Sequence, residues 1–94
     1  MRDIVLISFT ALNAGGGVPR WNRDFIAGFP GTKHYSWDDV AKANPGFGNT
    51  AAPEWDRARI LNQWLIWSKK IKKSDIIIVD GFWGAGLEDY NVIS

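Results

Sequence analysis

Apolar residues along this chain fall into two short, nearly unbroken runs and two periodic stretches. The first run is Asp3–Thr10 (DIVLISFT), where Ile4, Val5, Leu6, Ile7 and Phe9 are apolar. Apolar side chains on both faces over strand length predict a buried parallel strand; a half-exposed antiparallel strand would alternate instead. Ile76–Val79 (IIIV) predicts a second strand of the same kind. Between them, Ala52 to Lys72 reads as a long helix. Ile60, Trp64, Trp67 and Ile71 recur at helical spacing, and Leu61 and Leu65 widen the stripe into a core-facing surface. Pro53, Glu54 and Asp56 stand near its start and Lys69, Lys70, Lys72 and Lys73 at its end, the charge order that the helix dipole favours.

A shorter helix is predicted over Pro19–Ala27. Trp21, Phe25 and Phe29 share one face, the spacing of a core stripe, while Arg20, Arg23 and Asp24 lie off it. Gly28 and Pro30-Gly31 end it. Lys33–Trp37 (KHYSW) reads as a short strand, Asp38–Ala43 as a single helical turn, and 44–50 as a loop. Leu87–Tyr90 predicts another helical turn, and Asn91–Ser94 the beginning of a further strand. A strand of only three or four residues at that point is what a fragment would show.

The order strand, helix, strand, helix, strand, strand predicts one α/β domain over residues 1–94. Its class is a Rossmann-like, open, mainly parallel sheet with flanking helices in three layers, incomplete at the C-terminus. Ligands of such sheets bind outside the carboxyl ends of the strands. The glycine-rich loops 11–18 and 80–86 both leave carboxyl ends of hydrophobic strands, so both are expected on one edge.

The first of these loops carries Gly15, Gly16 and Gly17 ahead of the Pro19 helix. Glycines permit a ligand to approach the backbone closely, and the N–H groups and positive dipole end of the following helix attract phosphates. A flexible strand–helix connection is the equally simple alternative. The dinucleotide fingerprint is incomplete, because position 20 is Arg where a third glycine belongs; Asp38 and Asp39 stand roughly where a ribose-binding acid would.

Composition narrows the chemistry. The 94 residues are 46% hydrophobic, enough for a small core, and six are Trp. So many Trp in so short a chain points to a ligand or partner surface for some of them. A net charge of +1 gives no support to bulk nucleic-acid binding, and the lysine cluster reads as a solvated helix end. With no cysteine there are no disulfides or thiolate chemistry, as expected of a cytoplasmic protein. A lone His34 argues against a metal site. The N-terminus lacks signal-peptide architecture, and no apolar run is long enough to span a bilayer.

The succession of apolar strand, GGG-V, amphipathic helix, long helix and S-D-I-I-I-V-D-G-F-W resembles the N-terminal domain of GT-B glycosyltransferases. The pattern is nearest to the large retaining group 1 family that includes glycogen-synthase-like enzymes. In that family the first glycine loop and the end of a later strand line a cleft between two Rossmann-like domains; Asp75-Ile-Ile-Ile-Val-Asp80-Gly81 resembles that strand end. Histidines of the family pattern are replaced here by Ile78 and Asp80. The likeness covers nearly the whole chain but only about the first quarter of such an enzyme.

The resemblance implies transfer of a sugar from a nucleotide-sugar to an acceptor hydroxyl once a C-terminal donor-binding domain is joined, with the isolated chain inactive. No cofactor or metal is implied; the nucleotide-sugar is the substrate, and a carbohydrate or lipid the acceptor. It casts Gly15, Gly16 and Gly17 as backbone contacts to the donor's phosphates or sugar. Arg20 would pair with an anionic acceptor or be simply solvated. Trp21 would stack on a sugar or pack in the core. Asp80 would bond acceptor hydroxyls or act as a base, or else cap its turn. Phe82 and Trp83 would form a carbohydrate platform, or else cover the sheet edge or pack against the C-terminal domain. Trp64 and Trp67 are expected in the core. The competing expectation is a free-standing flavodoxin-like binding or self-association module without enzymatic activity, because an unpaired strand at Val92–Ser94 invites pairing with another chain.

Overall fold

A computed structural model describes residues 3–9, 16–44, 46, 54–79 and 81–93, without the side chains of Val18, Glu54 and Phe82. Strand β1 spans Ile4–Ser8, β2 Lys33–Ser36, β3 Ile76–Val79 and β4 Asn91–Ile93. They form one sheet in the order β2-β1-β3-β4, and every pairing is parallel. The expected α/β Rossmann-like class is therefore the observed one.

The apolar run of β1 is explained by its central place. Leu6 lies opposite His34 of β2 on one side and Ile78 of β3 on the other, so the backbone of β1 is satisfied along both edges. From Val5 to Ser8 every side chain is buried. Helix α1, Gly17–Gly28, connects β1 to β2. Helices α2, Trp37–Ala43, and α3, Glu54–Trp67, lie between β2 and β3. The crossover from β1 to β2 and that from β2 past β1 to β3 run in opposite directions, so right-handed connections put α1 on one face of the sheet and α2 with α3 on the other. The main core lies on the second face. Val5, Ile7, Ile77 and Val79 meet Trp37 and Val40 of α2 and Ala58, Leu61 and Leu65 of α3 there. Leu6, 1% exposed, faces the other way.

Several elements differ from expectation. Residues 37–43 make two helical turns rather than one, helped by the Asp39 carboxylate, which accepts the Ser36 N–H at 2.8 Å and satisfies a donor the helix start leaves open. Helix α3 stops at Trp67, short of the lysine cluster. Lys69 adopts a left-handed φ of 55°; its N–H donates to the Ile66 carbonyl and that of Lys70 to the Leu65 carbonyl. These two bonds form a Schellman motif, which closes the helix before the lysines can meet its dipole. Lys70 instead lays its ammonium over the Trp64 ring at 5.5 Å.

The buried side of α3 is Ala58, Leu61, Asn62 and Leu65, not the Ile60–Trp64–Trp67 line. Trp64 is half-buried and Trp67 78% exposed, so Trp67 is no core residue. On α1 the expected stripe also faces outward. Trp21 stacks on Phe25 (5.4 Å between centroids) and Phe25 on Phe29 (4.8 Å), yet Trp21 is 54% and Phe29 53% exposed. Among the described side chains of this helix, Pro19 and Asn22 are the buried ones.

A lysine at a left-handed helix end carries a backbone strain of about 1–2 kcal/mol, partly offset by glycine's larger unfolded-state entropy. Lys69→Gly is expected to stabilise the fold by about 1 kcal/mol, several degrees in Tm for a domain of this size. Thermal and urea unfolding measure this; a lowered midpoint contradicts the assigned helix ending.

Candidate functional site at the carboxyl edge of the sheet

Because β1 and β3 are adjacent and parallel, the segments after Ser8 and after Val79 leave the same sheet edge side by side. The crossover direction reverses between these two strands, and the carboxyl edge at such a switch point is where open α/β sheets bind ligands. The two glycine loops expected on one edge follow these strand ends; residues 10–15 and 80 lie outside the described residues.

Aromatic residues follow three of the four strands. Phe9 follows β1, Trp37 follows β2, and Trp83 lies in a 3-10 turn, Gly81–Gly84, after β3. The Trp37 N–H donates to the Phe9 carbonyl at 3.2 Å and ties the ends of β1 and β2 together. Phe9 and Trp83 stack with centroids 5.2 Å apart and planes at 15°. Arg57, in the first turns of α3, places its Cζ 6.0 Å from the Phe9 ring centre and 5.7 Å from that of Trp37. Trp83 is 2% exposed and packed in the core, so the expected carbohydrate platform is corrected: its ring covers the sheet edge.

Asn62 positions this edge from below. It is fully buried on α3, and its Nδ2 donates to the carbonyls of Trp83 and Ala85, both at 2.8 Å. One side chain thus fixes the chain between β3 and β4. Gly84 serves the same packing, since a Cβ there would come within 3.2 Å of Val92 Cγ1 and 3.3 Å of Val79 Cγ2. Packing alone thus favours a glycine at this position of the second loop.

Gly16 precedes α1 with φ 110° and ψ 177°, a region open essentially to glycine alone. No side chain caps the helix. The Arg20 N–H returns to the Gly16 carbonyl at 3.3 Å, and Pro19 has no N–H. Gly17 and Val18 are therefore the first-turn donors without an intrahelical acceptor. A Cβ on Gly17 would meet nothing within 4 Å. Arg20 is exposed in the first turn. Gly15 and Asp80 lie outside the described residues, as does the Phe82 side chain.

Of the possible ribose acids, Asp38 is exposed and the Asp39 carboxylate is engaged with Ser36. Asp75, the first residue of the strand motif, sits at the opposite, amino edge. It is 1% exposed and accepts the Lys72 N–H at 2.8 Å, closing the turn into β3. His34, to which no chemistry was assigned, bonds the Ser8 Oγ through Nε2 at 2.8 Å; burial lowers its pKa, which the Asp39 charge partly opposes. Among the described residues no group of His, Asp or Glu could hold a metal ion, and no helix is long and apolar enough to cross a membrane.

The features that sequence reasoning passed over are Arg57, Trp37, Phe9 and Asn62. An aromatic residue directly after a strand is a legible signal for Phe9 and Trp37. A polar residue inside the apolar stripe of α3 is the signal for Asn62. Comparisons with protein-family models, curated proteins and solved structures find no match to this chain.

Asn62→Ala leaves two buried carbonyls without their donor, at an expected cost of about 2–3 kcal/mol. Asn62→Leu fills the volume but is expected to recover little of the loss. Urea unfolding separates the two effects: full recovery by leucine would show that packing, not hydrogen bonding, fixes the edge.

Proposed function

We propose that the chain is the acceptor-side half of a nucleotide-sugar-dependent glycosyltransferase, transferring a sugar to an acceptor hydroxyl when joined to a donor-binding domain. The observation that supports this reading is the parallel pairing of β1 with β3, which puts the carboxyl ends of the two strands side by side at a switch point. The chemistry asked of that edge is electrostatic. When a sugar departs from a nucleoside diphosphate, negative charge accumulates on the leaving phosphate. Fixed N–H groups and a helix dipole stabilise such charge without reorganising.

Gly17 and Val18 supply those N–H groups, with Gly16 setting the chain direction that aims them outward. Arg20 stands exposed one residue beyond Pro19, within reach of an anionic acceptor. Trp21, exposed rather than buried, offers an aromatic face on which a sugar ring stacks.

A substitution at Gly17 tests this more cleanly than one at Gly16, because the φ of Gly16 would strain any side chain. Gly17→Val is expected to weaken binding of a nucleoside diphosphate or nucleotide-sugar at least about tenfold, about 1.4 kcal/mol, with a stability change below about 1 kcal/mol. Calorimetric titration and thermal unfolding of the same samples provide both numbers. Unchanged affinity in Gly17→Val removes the loop from the site.

A second reading, a non-enzymatic module that self-associates, is favoured by β4. Among the described residues β4 pairs only with β3, and Ile93 is 58% exposed on it. An open edge with an apolar side chain is a template for pairing with another chain. This reading predicts a concentration-dependent dimer in sedimentation that Ile93→Lys abolishes. A monomer at all concentrations, with nucleotide binding present, leaves the enzyme reading alone.

A further inference from the structure

We propose that the outer flank of α3 is a second binding site, for a neutral saccharide chain. It lies apart from the carboxyl edge and does not depend on the donor-binding reading. Helix α3 turns Ala58, Leu61 and Leu65 to the core. The next strip round the helix, Ile60, Trp64 and Trp67, follows i, i+4, i+7 spacing and forms one wall of a groove of about 390 Å³. Asn44, where α2 ends, and Arg59 and Gln63 of α3 complete its described lining. That volume falls within the range of small-ligand sites.

The lining determines which molecule fits. Trp67 is 78% exposed on this flank, and contiguous exposed apolar surface marks a contact with another molecule. The walls are indole and isoleucine, but the polar groups are two amides and one guanidinium. Gln63 is exposed, and among the described residues its amide makes no hydrogen bond. Asn44 uses its Nδ2, 3.5 Å from the Val40 carbonyl, which leaves Oδ1 as an acceptor. A lipid chain or an apolar helix would cover these groups without answering them. A polyanion would find one cation among the lining residues, Arg59, whose guanidinium already lies 5.7 Å from the centre of the Trp55 ring. A sugar ring meets both demands. Its C–H groups carry partial positive charge and lie against the negative face of an indole, while its hydroxyls meet planar amides that donate and accept side by side. The Lys70 ammonium stands 5.5 Å over the Trp64 ring, so Trp67 offers the more open face. Two indoles a turn apart suit successive rings of a chain rather than a single sugar.

The test titrates the intact chain by calorimetry with two neutral probes, cellohexaose and maltohexaose, and with glucose as reference. One of the hexaoses is expected to bind with a Kd of about 1 mM or tighter, and glucose more weakly. Trp67→Ala, at an exposed position where truncation leaves the fold intact, is expected to weaken that binding at least about tenfold. Gln63→Ala is expected to weaken it about threefold. Binding of neither hexaose at about 10 mM refutes the site. Trp21→Ala separates this site from the proposed acceptor surface on α1. Loss in Trp21→Ala, with Trp67→Ala unchanged, overturns the groove and leaves the glycosyltransferase reading standing. A dimer in sedimentation that Trp67→Ala abolishes and neither hexaose dissociates gives the groove to a second copy of the chain and equally overturns the proposal. Should Trp67→Ala not fold, Gln63→Ala decides the matter, and unchanged hexaose affinity in that variant refutes the site.

Discussion

Parallel pairing of β1 on both its edges is the constraint on which the rest of the molecule depends. A strand with neighbours on each side satisfies its backbone within the sheet and needs apolar cover on both faces, which the α2–α3 pair supplies on one of them. The pairing with β2 on one side and β3 on the other forces the two crossovers to leave in opposite directions. A switch point at the ends of β1 and β3 follows from that geometry alone. The proposed site is thus a by-product of how the central strand is buried, and the side chains around it determine its chemistry.

Those side chains divide into supports and contacts. Asn62, Gly84, Trp83 and Phe9 shape the edge from within: two hydrogen bonds to carbonyls, a close approach that a Cβ would crowd, and a stacked ring pair. Gly17 and Val18, at the start of α1, leave their first-turn N–H groups without an intrahelical acceptor, and Arg20 is exposed beside them. Such a division suits a binding edge, because groups that recognise an anion gain affinity when their positions are fixed beforehand. The amino edge is built differently. Asp75 spends its carboxylate on the turn into β3, and Ile76 donates to the Asp3 carbonyl at 2.8 Å, so polar groups there serve the fold.

Strand positions and sheet class were legible because Ile4–Ile7 and Ile76–Val79 leave no polar face, which only a buried parallel strand accommodates. Which face each helix buries was less legible. The i, i+4 spacing of Trp21, Phe25 and Phe29 shows that they share a side but not that the side is buried; among the described side chains of α1, Pro19 and Asn22 are the buried ones. On α3 a one-position rotation moved Trp67 into solvent and brought Asn62 inside, where its amide answers carbonyls more than twenty residues away in sequence. The helix end was misjudged for a local reason, since Lys69 takes the left-handed turn ordinarily given to glycine. Among the site residues, Gly16 and Gly17 could be placed from their spacing ahead of Pro19. Arg57 could not, because its neighbours Phe9 and Trp37 come from distant segments and only the assembled sheet brings them together.

The central claim is that the carboxyl edge between β1 and β3, rather than any other surface, receives an anionic ligand. Amide chemical-shift mapping by NMR during pyrophosphate addition tests it most directly. The account predicts that the shifts concentrate on Phe9, Gly16, Gly17, Trp37 and residues 81–86, while the amino-edge groove formed by Asp3, Ile4 and residues 28–32 stays unperturbed. Shifts centred on that amino-edge groove, with the residues following β1 and β3 unmoved, would contradict it.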